Sequence, residues 1–134
     1  MDYRNFTSEE MAGVQELYRE ANWLAYLPDE EKLTRAFEKS LWILGVFNKG
    51  KLIGFVRCVG DGEHILLVQD LIVAKAYQGQ GIGKKLFQAA WNTFKDVRMF
   101  QVNTDLEDVI DNRFYQSFGM RTLEEGHMVS YFRG

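Results

Sequence analysis

Three glycines in alternation, Gly79, Gly81 and Gly83, stand between an apolar run at Ile65 to Ala74 and an amphipathic run reaching about Phe94. A strand, a glycine loop and a helix N-terminus in that order aim several backbone N–H groups at one point, which suits a phosphate. A side chain at Gly81 or Gly83 would hold such a ligand off, or forbid positive φ. A tight strand-to-helix turn is the plainer use of glycine, but three in alternation exceed what a turn requires. Two other phosphate loops fail on spacing. A Walker loop needs Gly, four residues, then Gly-Lys and Ser or Thr; here Gln78 stands five before Gly83, and Lys85 follows Lys84. The dinucleotide fingerprint needs its third glycine one residue later than Gly83. Both spacings speak against a nucleotide-binding module.

The 134 residues, 46% hydrophobic and 14% aromatic, fill one core and leave no room for a second, so a single domain over 1–134 is expected. Net charge is −3, with basic residues scattered apart from Lys84-Lys85; nucleic acid is not an expected partner. The one cysteine, Cys58, lies in an apolar strand and reads as a small buried hydrophobe. It and two distant histidines do not suggest a metal site. No stretch nears the ~18 apolar residues of a membrane span, and no basic start leads into an apolar run. These features lead us to expect a soluble, cytoplasmic protein without a membrane partner.

Periodicity and turn signals give the element order. Tyr3 to Phe6 reads as a short edge strand, and Thr7 or Ser8 as the cap of a helix carrying Val14, Leu17 and Tyr18 inward. Pro28-Asp29 opens a second helix with Leu33, Phe37 and Leu41 at helical spacing. Strands follow at Trp42 to Phe47, Lys51 to Val59 and His64 to Ala74, joined at Asn48-Lys49-Gly50 and Gly60-Asp61-Gly62 as an antiparallel meander. After the glycine loop come a helix, a strand at Arg98 to Thr104, a helix at Leu106 to Ser117, and a last hairpin of Met120 to Leu123 with His127 to Phe132. The fold class is α/β: a mixed, mostly antiparallel sheet flanked by helices on both faces.

The pattern Gln/Arg-x-x-Gly-x-Gly/Ala is met by Gln78, Gly81 and Gly83. With Gln69-Asp70-Leu71-Ile72-Val73 upstream and Phe114-Tyr115-Gln116-Ser117-Phe118-Gly119-Met120 downstream, the sequence resembles the GNAT superfamily of acyl-CoA N-acyltransferases. Two signatures in order on a matching element sequence cover nearly the whole chain. The resemblance implies a GNAT-like fold and an N-acetyltransferase that moves acetyl from acetyl-CoA (coenzyme A) directly to a primary amine of a small molecule, in a ternary complex. A protein N-terminus or lysine as acceptor, or a non-catalytic acyl-CoA-binding sensor, are the alternatives. No metal is implied, and a homodimer through the terminal strands is compatible with the resemblance.

The same resemblance assigns roles. The loop Gln78, Gly79, Gln80, Gly81, Ile82, Gly83 and Lys84 would take the pyrophosphate. The backbones of Leu71, Ile72 and Val73 would meet the pantetheine arm, with the Leu71 N–H facing the thioester carbonyl. Tyr115 would protonate the leaving thiolate, since a phenol near pKa ~10 stays protonated at pH 7; by pattern alone it is as well explained as a core aromatic. Relatives often carry Glu or His at the positions of Leu67 and Gln69, and Asn at that of Asp108. Strand alternation sets Leu67, Gln69, Leu71 and Val73 on one face and Asp70 on the other. Gln69 could hold a water, and Asp70, Asp61, Glu63 or His64 could take a proton through it. Asp70 leads, because an acid inside an apolar strand demands a partner. Trp23, Tyr26, Trp42 and Arg57 are the large or charged candidates for the acceptor pocket. Core packing explains Trp23 to Tyr26 equally well. Arg57 either binds a substrate anion or pairs with Asp61 or Asp70.

Overall fold

The computed structural model describes all 134 residues, which divide into two compact units, Met1–Val102 and Asn103–Gly134. The first unit holds β1 (Asp2–Asn5), α1 (Met11–Glu20), α2 (Glu30–Glu38), β2 (Trp42–Asn48), β3 (Lys51–Gly60), β4 (Ile65–Val73), α3 (Ile82–Thr93) and β5 (Met99–Val102). The strands form one sheet in chain order, antiparallel from β1 to β4, with β5 parallel to β4 across the α3 crossover. It is the mixed, mostly antiparallel α/β sheet that the sequence predicts.

Local chemistry sets the ends of the helices. Asp29 caps α2, its carboxylate accepting the Lys32 N–H at 3.0 Å, and Glu30 and Glu31 favour the positive end of the helix dipole. The helix stops at Glu38, where the Ser40 hydroxyl donates back to the Ala36 carbonyl at 2.8 Å. Leu41 therefore lies past the helix rather than on its inner face, and its N–H donates to the Cys58 carbonyl at 2.9 Å. α1 begins later than expected. Both the N–H and the hydroxyl of Thr7 donate to the Glu9 carboxylate, so neither Thr7 nor Ser8 caps a helix that starts at Met11.

Apolar side chains fill both faces of the sheet. On one, Val14, Leu17 and Tyr18 of α1 and Leu33 and Phe37 of α2 bury against Ile43, Phe47, Phe55 and Ile72. Phe6 enters this layer at 6.2 Å from Phe37 and 5.9 Å from Phe55. Gly45 makes room for it, because a Cβ there would stand 2.8 Å from the Phe6 ring. On the other face, α3 buries Ile82, Leu86, Phe87 and Ala90.

The second unit contains α4 (Val109–Gln116). Asp108 caps it by accepting the Asp111 N–H at 2.9 Å, a task that Asp and Asn perform about equally well. Gly119, at φ +82°, ends the segment in the left-handed region. The expected last hairpin does not form. Thr122 and Glu125 instead make a reciprocal capping box, Thr122 N–H to the Glu125 carboxylate at 3.1 Å and Glu125 N–H to the Thr122 hydroxyl at 3.2 Å. That curls residues 123–127 into a turn, and Tyr131 and Phe132 are left 91% and 90% exposed.

Candidate active site

A β-bulge in β4 organises the site. Arg57 faces Asp70 while Cys58 faces Val68, so Gln69 is the extra residue. Face alternation reverses there, and the expected separation of Gln69 from Asp70 is corrected: both side chains reach the Tyr26 hydroxyl. The same bulge stops the parallel ladder, whose last pair is Val68 with Val102. It thereby shortens β5 to Met99–Val102 and leaves the edge of β4 without a partner strand from Gln69 to Val73.

The Ala74 N–H donates to the Ile53 carbonyl at 2.8 Å. In antiparallel alternation Ile72 and Asp70 then turn their backbone groups toward β3, while Leu71 and Val73 turn theirs toward the open edge. The Gln78 amide takes one of these outward groups, donating to the Val73 carbonyl at 3.0 Å and bracing the loop against the strand.

Gly79 and Gly81 sit at φ +80° and +82°, the left-handed region that glycine adopts without strain. A Cβ at either would meet nothing within 4 Å, and one at Gly83 only the Val73 side chain at 3.8 Å. Internal packing thus explains none of the three glycines. Gly81 is the N-cap of α3 without a side-chain cap, and no backbone or side-chain acceptor faces the N–H groups from Gly79 to Lys84. Uncapped N–H groups at a helix start, with open space before them, form an anion cradle.

Asp70 is 3% exposed and surrounded by donors. Its Oδ2 accepts from Tyr18 Oη at 2.7 Å and from Arg57 Nε at 2.7 Å, and its Oδ1 from Tyr26 Oη at 2.8 Å. Burial and the Asp70 carboxylate both raise the Tyr18 and Tyr26 phenols above their ordinary value. With three donors held on its two oxygens, the buried Asp70 carboxylate ties α1, β3 and the Tyr26 segment together. Arg57 is equally occupied, 4% exposed, with Ser40 Oγ at 3.3 Å from Nη1 and the Phe37 ring 4.8 Å below the guanidinium. Of the readings open for Arg57, its geometry supports the ion pair with Asp70.

The remaining candidates divide. Tyr26 stacks on Tyr18 at 4.5 Å and borders a cleft of about 430 Å³ with Ala25, Pro28, Asp29 and Lys32. Trp23 is 37% exposed, its ring 6.0 Å from Tyr18. Trp42 sits edge-on to Phe94 at 5.6 Å and pairs across strands with Cys58, on the α3 face rather than beside Tyr26. Asp61 accepts the N–H groups of Glu63, His64 and Ile65, which hold its carboxyl down at about 2. That carboxylate caps a turn. In the second unit, burial, with Asp111 and Asp108 adding to it, pushes the Tyr115 phenol up to about 12. Sequence reasoning missed the Tyr18–Asp70–Tyr26–Gln69 hydrogen-bond chain, because nothing in the strand marks the bulge.

No group of three or more His, Cys, Asp or Glu gathers as a metal site would, and no helix is long and apolar enough to cross a membrane.

Comparison with known proteins identifies the fold and the family. An uncharacterized N-acetyltransferase ycf52-like protein of Prochlorococcus marinus is 29% identical over 105 residues, which are 75% of this chain and 58% of that protein. The chain thus spans rather more than half the length of this curated relative. A GNAT family acetyltransferase structure from Streptococcus pneumoniae TIGR4 superposes with a TM-score of 0.85 at 30% identity, covering 98% of this chain and 96% of that one. The aminoglycoside N-acetyltransferase AAC(6')-Iy, in complex with CoA, shares the fold at 19% identity with a TM-score of 0.74, covering 99% and 93% of the two chains. The sequence model of the acetyltransferase (GNAT) family matches residues 8–120, and the chain belongs to that family.

Proposed function

We propose that the protein transfers acetyl from acetyl-CoA directly to a primary amine of a small molecule. The observation that carries this reading is the uncapped cradle from Gly79 to Lys84, set beside the open edge of β4. The diphosphate of CoA is the anion that fits it, since backbone N–H groups and the α3 dipole meet negative charge there. Bound acetyl-CoA would supply the acetyl thioester. The Leu71 N–H and the outward groups of Leu71 and Val73 would hydrogen-bond along its arm. A preorganised donor of this kind is worth roughly 3 kcal/mol when charge develops on the carbonyl oxygen.

Tyr115 keeps the role of proton donor to the leaving thiolate. Its support is chemical: a phenol pushed up to about 12 is fully protonated at neutral pH. Asp70 does not serve as the base in this reading, being 3% exposed and already accepting from Tyr18, Tyr26 and Arg57. The amine therefore arrives neutral from solution or loses its proton through water. Arg57 is likewise withdrawn from the substrate, which leaves Tyr26 and Trp23 on the acceptor side. The small-molecule acceptor draws support from AAC(6')-Iy, whose complexes hold CoA and an acetylneamine bisubstrate analogue.

A sensor that binds acyl-CoA without turnover is the second reading. It is favoured by one observation: the carboxylate nearest Leu71 in sequence is fully committed to the core. Thiol release from acetyl-CoA across polyamines, arylalkylamines, amino sugars, aminoglycosides and amino acids, with a no-amine blank, separates the two. Turnover on one class supports the enzyme. Silence across the panel, with CoA still raising the melting temperature, supports the sensor or a protein acceptor.

A further inference from the structure

The hydrogen bonds around Asp70 run in one direction. Its carboxylate faces the Arg57 guanidinium at 2.7 Å and acts toward its neighbours as an acceptor. The Tyr26 oxygen lies 2.8 Å from Asp70 Oδ1, so the single phenolic proton occupies that line. What remains on the Tyr26 oxygen is acceptor capacity, and the Gln69 amide stands 2.9 Å away. The Gln69 atom there must be the Nε2 donor, because an oxygen in its place would find no proton. The Gln69 orientation is thus fixed by Asp70 through Tyr26, and its Oε1 has no partner within the chain.

Gln69 is exposed, and the bulge presents it next to the stretch of β4 that no strand covers. Two residues, at most about 7 Å of strand, separate it from Leu71. An oxygen fixed in direction, unpartnered and beside the open edge is suited to a ligand N–H.

We propose that Gln69 Oε1 is the hydrogen-bond acceptor that orients the incoming amine, an inference that rests on the function proposed above. A neutral primary amine brings two N–H groups and one lone pair. Donating one N–H to Oε1 fixes the nitrogen and leaves its lone pair free for the acyl carbon. Gln69 takes no proton in this role and is an orienting residue. Tyr26 is a positioning residue that acts through it, and Asp70 stands one bond further back.

The test is steady-state kinetics on the best amine from the panel. Gln69→Leu should raise the acceptor KM about tenfold, as loss of one good hydrogen bond does, with the acetyl-CoA KM within about twofold of wild type. Gln69→Glu keeps an oxygen and loses the donor; its acceptor KM should fall between those of wild type and Gln69→Leu. If the amide served only to brace Tyr26, Glu would be as harmful as Leu, and the inference fails. Tyr26→Phe should weaken acceptor use in the wild-type background and change nothing further in the Gln69→Leu background. Equal losses in both backgrounds would assign Tyr26 a separate, structural role and overturn the relay. An active wild type with an unaffected Gln69→Leu refutes this inference alone, whereas a wild type inactive with every amine refutes the underlying function and takes the inference with it.

Discussion

Removing the Asp70 carboxylate should be one of the most damaging single changes available to this protein. Asp70→Leu leaves the Arg57 charge 4% exposed without its counter-ion, a situation that costs about 3–5 kcal/mol. It also strands the hydroxyl of fully buried Tyr18, whose acceptor is that carboxylate, at about 1–3 kcal/mol. The two share one carboxylate and do not simply add, so roughly 4–6 kcal/mol is expected. A small domain holds about 5–15 kcal/mol in all, which places the variant near or below its folding threshold. Taking away the charge as well should reverse most of the damage, because a buried ion pair replaced by apolar residues of similar size is often neutral. Arg57→Met/Asp70→Leu in a Tyr18→Phe background removes the stranded phenol too. Urea unfolding followed by tryptophan fluorescence gives the midpoint and slope for each variant. The account predicts a coupling of about 2–4 kcal/mol between positions 57 and 70. Asp70→Leu costing under about 1 kcal/mol, or a combined variant no more stable than the single one, would refute the reasoning.

Tyr115→Phe should lower kcat by about 10²-fold, the usual worth of a positioned proton donor, while a calorimetric CoA affinity stays put; wild-type turnover would return Tyr115 to an aromatic core role. Cys58, fully buried with its thiol pushed up to about 12, should react with an aromatic disulfide reagent only when the protein opens, so prompt stoichiometric labelling at pH 8 would contradict its placement. Asp61 has a folded pKa of about 2, below the ordinary value of 3.8. Its contribution to stability is therefore present above about pH 4 and lost as the pH falls toward 2. The melting-temperature gap between wild type and Asp61→Asn should close over that window, and a gap independent of pH would show that the three N–H bonds do not hold the carboxylate.

The glycine loop was legible because its cause is local. Backbone that must turn left-handed at Gly79 and Gly81 selects glycine, and the amphipathic run behind it announces α3. Turn signals at Asn48-Lys49-Gly50 and Gly60-Asp61-Gly62 likewise gave the meander. The β4 bulge was not legible. Gln69-Asp70 carries no glycine, and the ladder shift arises from pairing with β3 and from the pull of Tyr18, Tyr26 and Arg57 on one carboxylate. Strict alternation then put Gln69 and Asp70 on opposite faces and hid the Tyr26 hydroxyl that joins them. The last hairpin failed for a different reason: Thr122-x-x-Glu125 is a helix-start signal, and it outweighed the β-rich letters around it. The end of α2 was misjudged because Leu41 continues the helical spacing past the point where Ser40 closes the helix.

The central claim is that the Gly79-to-Lys84 cradle holds CoA, and calorimetric titration of CoA into wild type and Gly81→Glu tests it directly. At φ +82° the new side chain carries about 1–2 kcal/mol of backbone strain but meets no neighbour within 4 Å, so the variant should still fold. The account predicts saturable one-site binding by wild type and none by the variant, whose carboxylate would stand where the diphosphate belongs. Equal CoA affinity in the two folded proteins would contradict it.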